Sequence, residues 1–251
     1  SARGYVATLA IIGLLTGVAF WFALRIHLAL PGVPLWAVLP VAWTTLEWTI
    51  GHLGDIRFPW LGLGTSLADA RVLVQWADIA GARGVTLWLA WCNVMILEAA
   101  MPEQGAGSRT WRWRPAVAVL LTLVGALGYG LWRMKTLSLR DVGVIGMVQP
   151  NEGFREKWDP AHADSVVGKL VGLSQQLLAG TPRPALLIWP EAAIPDFLWR
   201  RPVWEAEITG VAREGRVPVF TGVFWADSTW RTPLDPYYNA ALLIDSTGHW
   251  R

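Results

Sequence analysis

Residues 185–196 read Ala-Leu-Leu-Ile-Trp-Pro-Glu-Ala-Ala-Ile-Pro-Asp, an apolar run that meets a proline and then a glutamate. Leu186 to Trp189 is apolar at every position, the pattern of a strand in a sheet covered on both faces. Pro190 has no N–H to give to a ladder and ends the strand. Glu191 then emerges at the strand's carboxyl end, the edge at which open α/β sheets hold their ligands. With a rigid strand before it and apolar Ala192, Ala193 and Ile194 after it, its carboxylate is expected to be partly desolvated, which raises its pKa toward a general base's working range. The residues alone leave a second reading open, a solvated glutamate in a turn.

The flanking sequence alternates strands with helices. Val142–Val148 is a short β-rich run. Asp159 and Pro160 supply an N-cap and an N1 proline. Ala163, Val166, Val167, Leu170, Val171, Leu177 and Leu178 then recur at helical spacing. Trp204, Ile208, Val211 and Ala212 stripe a second helix, Val217–Val223 reads as a third strand and Tyr238–Ile244 as a fourth. The order β-α-β-α-β-β predicts a layered α/β domain.

Upstream, the character changes. Of the 251 residues, 53% are hydrophobic, and the charges are unevenly spread: residues 1–132 hold 8 Lys/Arg and 6 Asp/Glu, whereas 133–251 hold 13 of each. Two parts are expected, a membrane domain over 1–134 and an α/β domain over 135–251. Tyr5–Leu24 gives 20 uncharged residues and Pro115–Trp132 gives 18, each long enough for a hydrocarbon core of roughly 30 Å. Pro34–Gly51, interrupted by Pro40 and Glu47, and Gly84–Ala99 bring the expectation to about four transmembrane helices. The loop Met101–Arg114 carries Arg109, Arg112 and Arg114, which places it on the cytoplasmic side. Counted from it, the 25–34 turn with Arg25 and His27 lies inside. Asp55–Asp78 and the whole α/β domain then lie outside the cytoplasm. Eighteen tryptophans suit a protein that meets the headgroup region.

Other classes recede. The net charge is +2, with no basic stripe interleaved with aromatics, so nucleic acid is not an expected partner. One cysteine, Cys92, forms no intrachain disulfide. His27, His52, His162 and His249 stand apart without partners at ligand spacing, so no metal is expected, and no cofactor is implied. The opening SARGYVATLA shows no cleavable signal peptide.

Four collinear stretches resemble one family. ALLIWPEAAIPD (185–196) resembles the glutamate motif of the nitrilase superfamily in the form carried by apolipoprotein N-acyltransferases. GMVQPNEGFREKWDP (146–160) is similar to the segment that opens their catalytic domain. RFPWLGLGTS (57–66), followed by VQWADIAGARGVTLWLAWCN (74–93), resembles the Phe-Pro-Trp loop and next helix of their membrane domain. YYNAALLID (237–245) resembles the strand before their catalytic lysine. The resemblance implies an α-helical transmembrane bundle followed by an α/β domain that is part of a nitrilase-like αββα sandwich, in the bacterial inner membrane with the catalytic domain on the periplasmic side. It implies transfer of a fatty acyl chain from a phospholipid to the α-amino group of a diacylglyceryl-modified apolipoprotein cysteine, through a thioester formed by a cysteine, a glutamate base and a lysine. Glu191 matches the base, and Trp158 matches a tryptophan beside the substrate portal.

The sequence departs from the family beyond LLIDSTGHWR. No lysine or cysteine of this chain matches the catalytic positions: Cys92 lies in an apolar helix, where a thiol is unreactive, and Lys135, Lys157 and Lys169 fall elsewhere. The resemblance therefore reads the chain as an internal piece of a longer enzyme, inactive by itself. Two other readings share parts of the pattern, a membrane-anchored nitrilase-type amidase and a non-catalytic membrane-anchored binding module.

Overall fold

The computed structural model describes residues 2–101, 112–226, 230–232 and 235–250. It divides into two compact units, Ser1–Leu139 and Arg140–Arg251. The arginine-rich loop used to orient the membrane domain lies, between 102 and 111, outside the described residues.

The first unit is helical. α1 (Ala2–Ala29), α4 (Ala77–Ala100) and α5 (Trp113–Thr136) are, among the described residues, the three helices long and apolar enough to cross a membrane. Between them lie α2 (Leu35–Ile50) and α3 (Arg71–Val74). The expected span at Pro34–Gly51 is α2, and with 16 residues it extends about 24 Å, less than the roughly 30 Å core. α2 packs against both α1 and α4, and α5 packs against α3 and α4. α5 approaches α3 so closely that a Cβ on Gly130 would stand 1.8 Å from the Val72 carbonyl oxygen. A second fastening is polar: Asp78 on α4 accepts from Tyr129 Oη at 2.8 Å and from Arg133 Nε at 2.6 Å, both on α5. α4 is broken at Gly81, whose φ of 67° is open to glycine without a steric penalty.

The second unit is an α/β layer. Strands β1 (Ile145–Met147), β2 (Leu186–Ile188), β3 (Val219–Trp225) and β4 (Tyr238–Ile244) lie in the order β1-β2-β3-β4. The first three are parallel and β4 is antiparallel to β3. α6 (Phe154–Lys157) and α7 (Ala163–Ala179) lie between β1 and β2 in the chain, and α8 (Pro202–Gly215) between β2 and β3. Val167 and Leu170 of α7 and Trp204, Ile208, Val211 and Ala212 of α8 form one core with Val148, Leu187, Val219, Val223, Leu242 and Ile244 of the sheet. Two of its buried polar groups form a chain. Trp189 Nε1 donates to Ser174 Oγ at 2.9 Å, and that hydroxyl donates to the Leu170 carbonyl at 2.8 Å.

Two expectations need correction. Among the described residues the sheet is covered on one face only: Leu187 and Trp189 point into the helix-covered core, whereas Ile145, Met147 and Phe220 of the other face are exposed. An all-apolar strand records what its side chains prefer, not whether a second layer packs on them. Asp159 and Pro160 do not start α7. Asp159 Oδ1 accepts from Ala161 N at 2.9 Å and Oδ2 from His162 Nδ1 at 3.1 Å, and His162 holds the N-cap position. The aspartate closes a turn on its own downstream backbone, which competes with capping. Those contacts, the Ala161 N–H first, hold the Asp159 carboxyl below the ordinary carboxylate range.

Candidate active site at the end of the second strand

The backbone that carries Glu191 is pinned to β3. Beyond β2, Trp189 N donates to the Phe220 carbonyl at 2.9 Å, Gly222 N to the Pro190 carbonyl at 3.3 Å, and Ala193 N to the Gly222 carbonyl at 3.1 Å. Glu191 and Ala192 therefore arch over Gly222. The arch fits because position 222 has no side chain: a Cβ there would stand 2.5 Å from Ala192 N and 2.8 Å from Glu191 Cα. Ala192 takes the left-handed conformation, φ 47°, which costs a non-glycine residue about 1–2 kcal/mol. Such outliers persist where surrounding contacts over-determine them, and here ladder bonds on both sides do so. Downstream, Ala193 and Ile194 turn into the core at 3% and 0% exposure.

The Glu191 side chain goes the other way. It is exposed, which corrects the expectation of partial desolvation: the apolar neighbours that were to dehydrate it turn inward. Its Oε1 accepts from Asn239 Nδ2. Asn239 sits on β4 opposite Phe224, so Glu191, Gly222, Phe224 and Asn239 share the less covered face of the sheet. Lys157, on α6, brings Nζ to 3.3 Å from the Glu191 carbonyl oxygen and lies 5.1 Å above the Trp158 ring. Trp158, exposed at 38%, is 5.6 Å from Phe224 between ring centroids. Phe197 extends this aromatic group to Phe224, Trp230 and Tyr237. The structure thus gathers Glu191 and Trp158, 33 positions apart in the sequence, around one strand end. It adds two polar side chains that the sequence reading did not single out for this site, Asn239 and Lys157.

Chemically the arrangement offers a carboxylate with one oxygen held by an amide and the other without a hydrogen-bond partner among the described residues, a nearby cation and an aromatic wall. The remaining polar candidates are placed elsewhere. Lys169 is paired with Glu152 at 2.7 Å. Cys92 is buried within α4, and Lys135 lies in the last turn of α5.

Residues 2–95 match the family described as the apolipoprotein N-acyltransferase N-terminal domain. Curated relatives extend the likeness through the α/β unit. The apolipoprotein N-acyltransferase of Geobacter metallireducens is 28% identical over 219 residues, covering 86% of this chain and 41% of the relative. That of Chlorobaculum tepidum is 28% identical over 233 residues, 84% of this chain and 42% of the relative. That of Brucella suis is 28% identical over 249 residues, 96% of this chain and 45% of the relative. The chain is similar to the apolipoprotein N-acyltransferases over most of its length. It spans less than half the length of these N-acyltransferases, and both units, the helical bundle and the sheet that carries Glu191, fall within the stretch it shares with the Brucella suis protein.

Proposed function

We propose that this chain is the membrane domain and the first part of the catalytic domain of an apolipoprotein N-acyltransferase, with Glu191 as its general base. The observation that carries this reading is the pinned arch over Gly222, which fixes a carboxylate at the carboxyl end of a parallel strand in a chain related to acyltransferases over most of its length. A soluble amidase needs no bundle of apolar helices, and a binding module needs no strained backbone beneath a carboxylate.

In the proposed reaction Glu191 takes the proton of a cysteine thiol supplied by the rest of the enzyme. The thiolate attacks the phospholipid ester carbonyl, a C–S bond forms, and the C–O bond breaks. The lysophospholipid oxygen leaves with the proton that Glu191 returns. In the second half the α-amino group of the diacylglyceryl-cysteine attacks the thioester. A C–N bond forms, the C–S bond breaks, and the proton shed by the amine passes through Glu191 to the departing sulfur, restoring the thiol. Asn239 holds one carboxylate oxygen so that the other faces the reacting proton. Trp158 and Phe224 give the acyl chain apolar contact, and the lysine that stabilises the developing oxyanion is supplied, like the cysteine, by the rest of the enzyme. Phospholipid and diacylglyceryl-apolipoprotein are thus the proposed partners.

Incubating the full-length protein with phospholipid labelled in its acyl chain is expected to leave label on the protein that hydroxylamine removes, the mark of a thioester. This 251-residue chain alone, whose single cysteine is buried in α4, is expected to take none. Ammonia release from small amides without lipid-derived label would instead favour the amidase.

The α/β unit is proposed to lie outside the cytoplasm, in the periplasm of an inner-membrane protein. With Cys92 replaced, Ser228→Cys is expected to react with an impermeant thiol reagent on intact cells and Gly107→Cys to remain unlabelled. The opposite pattern would invert the topology.

A further inference from the structure

The helical unit holds a buried carboxylate that the proposed chemistry does not use. Glu47, on α2, is 7% exposed. Its Oε1 accepts from Trp43 Nε1 at 2.8 Å and from the backbone N–H of Leu63 at 2.7 Å. Its Oε2 accepts from Arg83 Nη1 at 3.0 Å and from Thr86 Oγ1 at 2.9 Å, both on α4. The Thr86 hydroxyl in turn accepts from Gly64 N at 3.0 Å. Two helices and the Phe58–Leu67 segment between them thus meet at one carboxylate. Close approach reinforces the junction: a Cβ on Gly64 would stand 2.8 Å from the Ala82 carbonyl oxygen, and one on Gly51 would stand 3.3 Å from Arg83 Nη2.

Cohesion between helices does not explain a charge in this place, since burying a carboxylate against a partly exposed guanidinium often gives no more stability than apolar packing of similar volume. The irregular segment does explain it. Phe58–Leu67 is built of short 3-10 turns over Pro59–Leu61 and Leu63–Leu67, which leave N–H groups without helical partners. Part-buried N–H groups of this kind need protein acceptors, because an unmet one is costly. Glu47 takes one such N–H directly and the next through Thr86. With its inner edge bolted down, the segment turns its apolar side chains outward: Trp60 is 74% exposed and Phe58 36%.

We propose that Glu47, neutralised by Arg83, is a positioning residue that holds Phe58–Leu67 in the shape that presents Phe58 and Trp60 to the lipid acyl donor. The proposal rests on the acyltransferase reading. Glu47 touches no reacting atom; it acts through the segment.

The test uses the full-length protein in phospholipid nanodiscs. Hydrogen–deuterium exchange over 58–67 is measured beside thioester formation as a function of phospholipid content. Glu47→Gln retains an oxygen for Trp43 and Leu63 but turns an amide toward Arg83 and Thr86, leaving a guanidinium without its counter-charge. Exchange over 58–67 is expected to rise about tenfold, since Leu63 N then bonds a neutral instead of a charged acceptor and Thr86, which holds Gly64 N, loses its own acceptor. The phospholipid KM should rise while attack of the acceptor amine on a preformed thioester keeps its rate. Glu47→Gln with Arg83→Gln restores charge balance and should recover part of both losses, which a merely misfolded variant would not do. Unchanged exchange in Glu47→Gln would overturn the anchor. Faster exchange with an unchanged phospholipid KM would overturn its positioning role. Absence of thioester in the unmodified protein would overturn the acyltransferase reading and with it the donor-loading role, while the exchange measurement still decides whether Glu47 holds the segment.

Discussion

Glu191→Gln in the full-length protein is expected to lower the rate of thioester formation by about 10² to 10⁴-fold, the usual contribution of a general base. A thiol with pKa near 8.5 is only a few per cent thiolate at neutral pH, roughly one part in thirty, so attack is slow unless a positioned group takes the proton as the C–S bond forms. Glutamine keeps the size of the side chain and can still bond Asn239 through its carbonyl oxygen, but it accepts no proton in this range. Folding and membrane insertion should persist because Glu191 is exposed and its arch is held by backbone bonds. Glu191→Asp keeps the charge and shortens the reach by one methylene, and is expected to retain partial activity at most. Asn239→Ala removes the donor to Oε1 and should fall between the unmodified protein and Glu191→Gln. Thioester accumulation in time courses, with circular dichroism as the folding control, measures the series. A Glu191→Gln rate near that of the unmodified protein would reduce the carboxylate to the end of a strand.

Gly222→Ala is expected to cost about 10²-fold in the same rate, although it touches no reacting atom. The added Cβ would meet Ala192 N and the Glu191 Cα and carbonyl carbon at 2.5–3.0 Å. All three are backbone atoms, which cannot swing aside as a side-chain tip can. The arch must lift, stretching the Gly222 N to Pro190 and Ala193 N to Gly222 carbonyl bonds and carrying the carboxylate with it. A misplacement of about 1 Å is enough for a loss of this size, and overpacking lowers stability by about 1–3 kcal/mol. Gly168→Ala, in α7 with no atom within 4 Å of the added Cβ, is the control. It should leave the rate unchanged and raise stability by about 0.5–1 kcal/mol, as alanine does for glycine inside a helix. Equal activity in the two variants would show that the arch does not set the position of Glu191.

Much of the architecture was legible because it follows from periodicity. Leu186–Ile188 and Tyr238–Ile244 are strands where their apolar runs place them, and Val166, Val167 and Leu170 fall on one face of α7 as their spacing requires. What was not legible depends on partners distant in sequence. The apolar run of β2 does not tell whether one face or both are covered, since leucine and isoleucine suit either. Asp159-Pro160 matches a helix start, yet the aspartate bonds its own turn. At the candidate site, Glu191 and Trp158 were found through motifs, whereas Asn239 and Lys157 depend on strand pairing and loop closure. One local signal for the missed parts existed: Gly222 lies inside an otherwise β-branched and aromatic strand, where a glycine marks the close approach of another backbone. In the helical unit, Glu47 read as an interruption of an apolar segment. Only the fold shows that its charge is met by Arg83 from 36 residues away.

The central claim, acyl transfer from lipid to a lipoprotein amine, is tested most directly by a chase. The full-length protein is first loaded from acyl-labelled phospholipid, freed of donor, and then given a synthetic peptide bearing an N-terminal diacylglyceryl-cysteine. The account predicts that label leaves the protein and appears on the peptide as a hydroxylamine-resistant amide at the α-amino group, one acyl chain per peptide. Label released only as free fatty acid, at the same rate with and without the peptide, would contradict it.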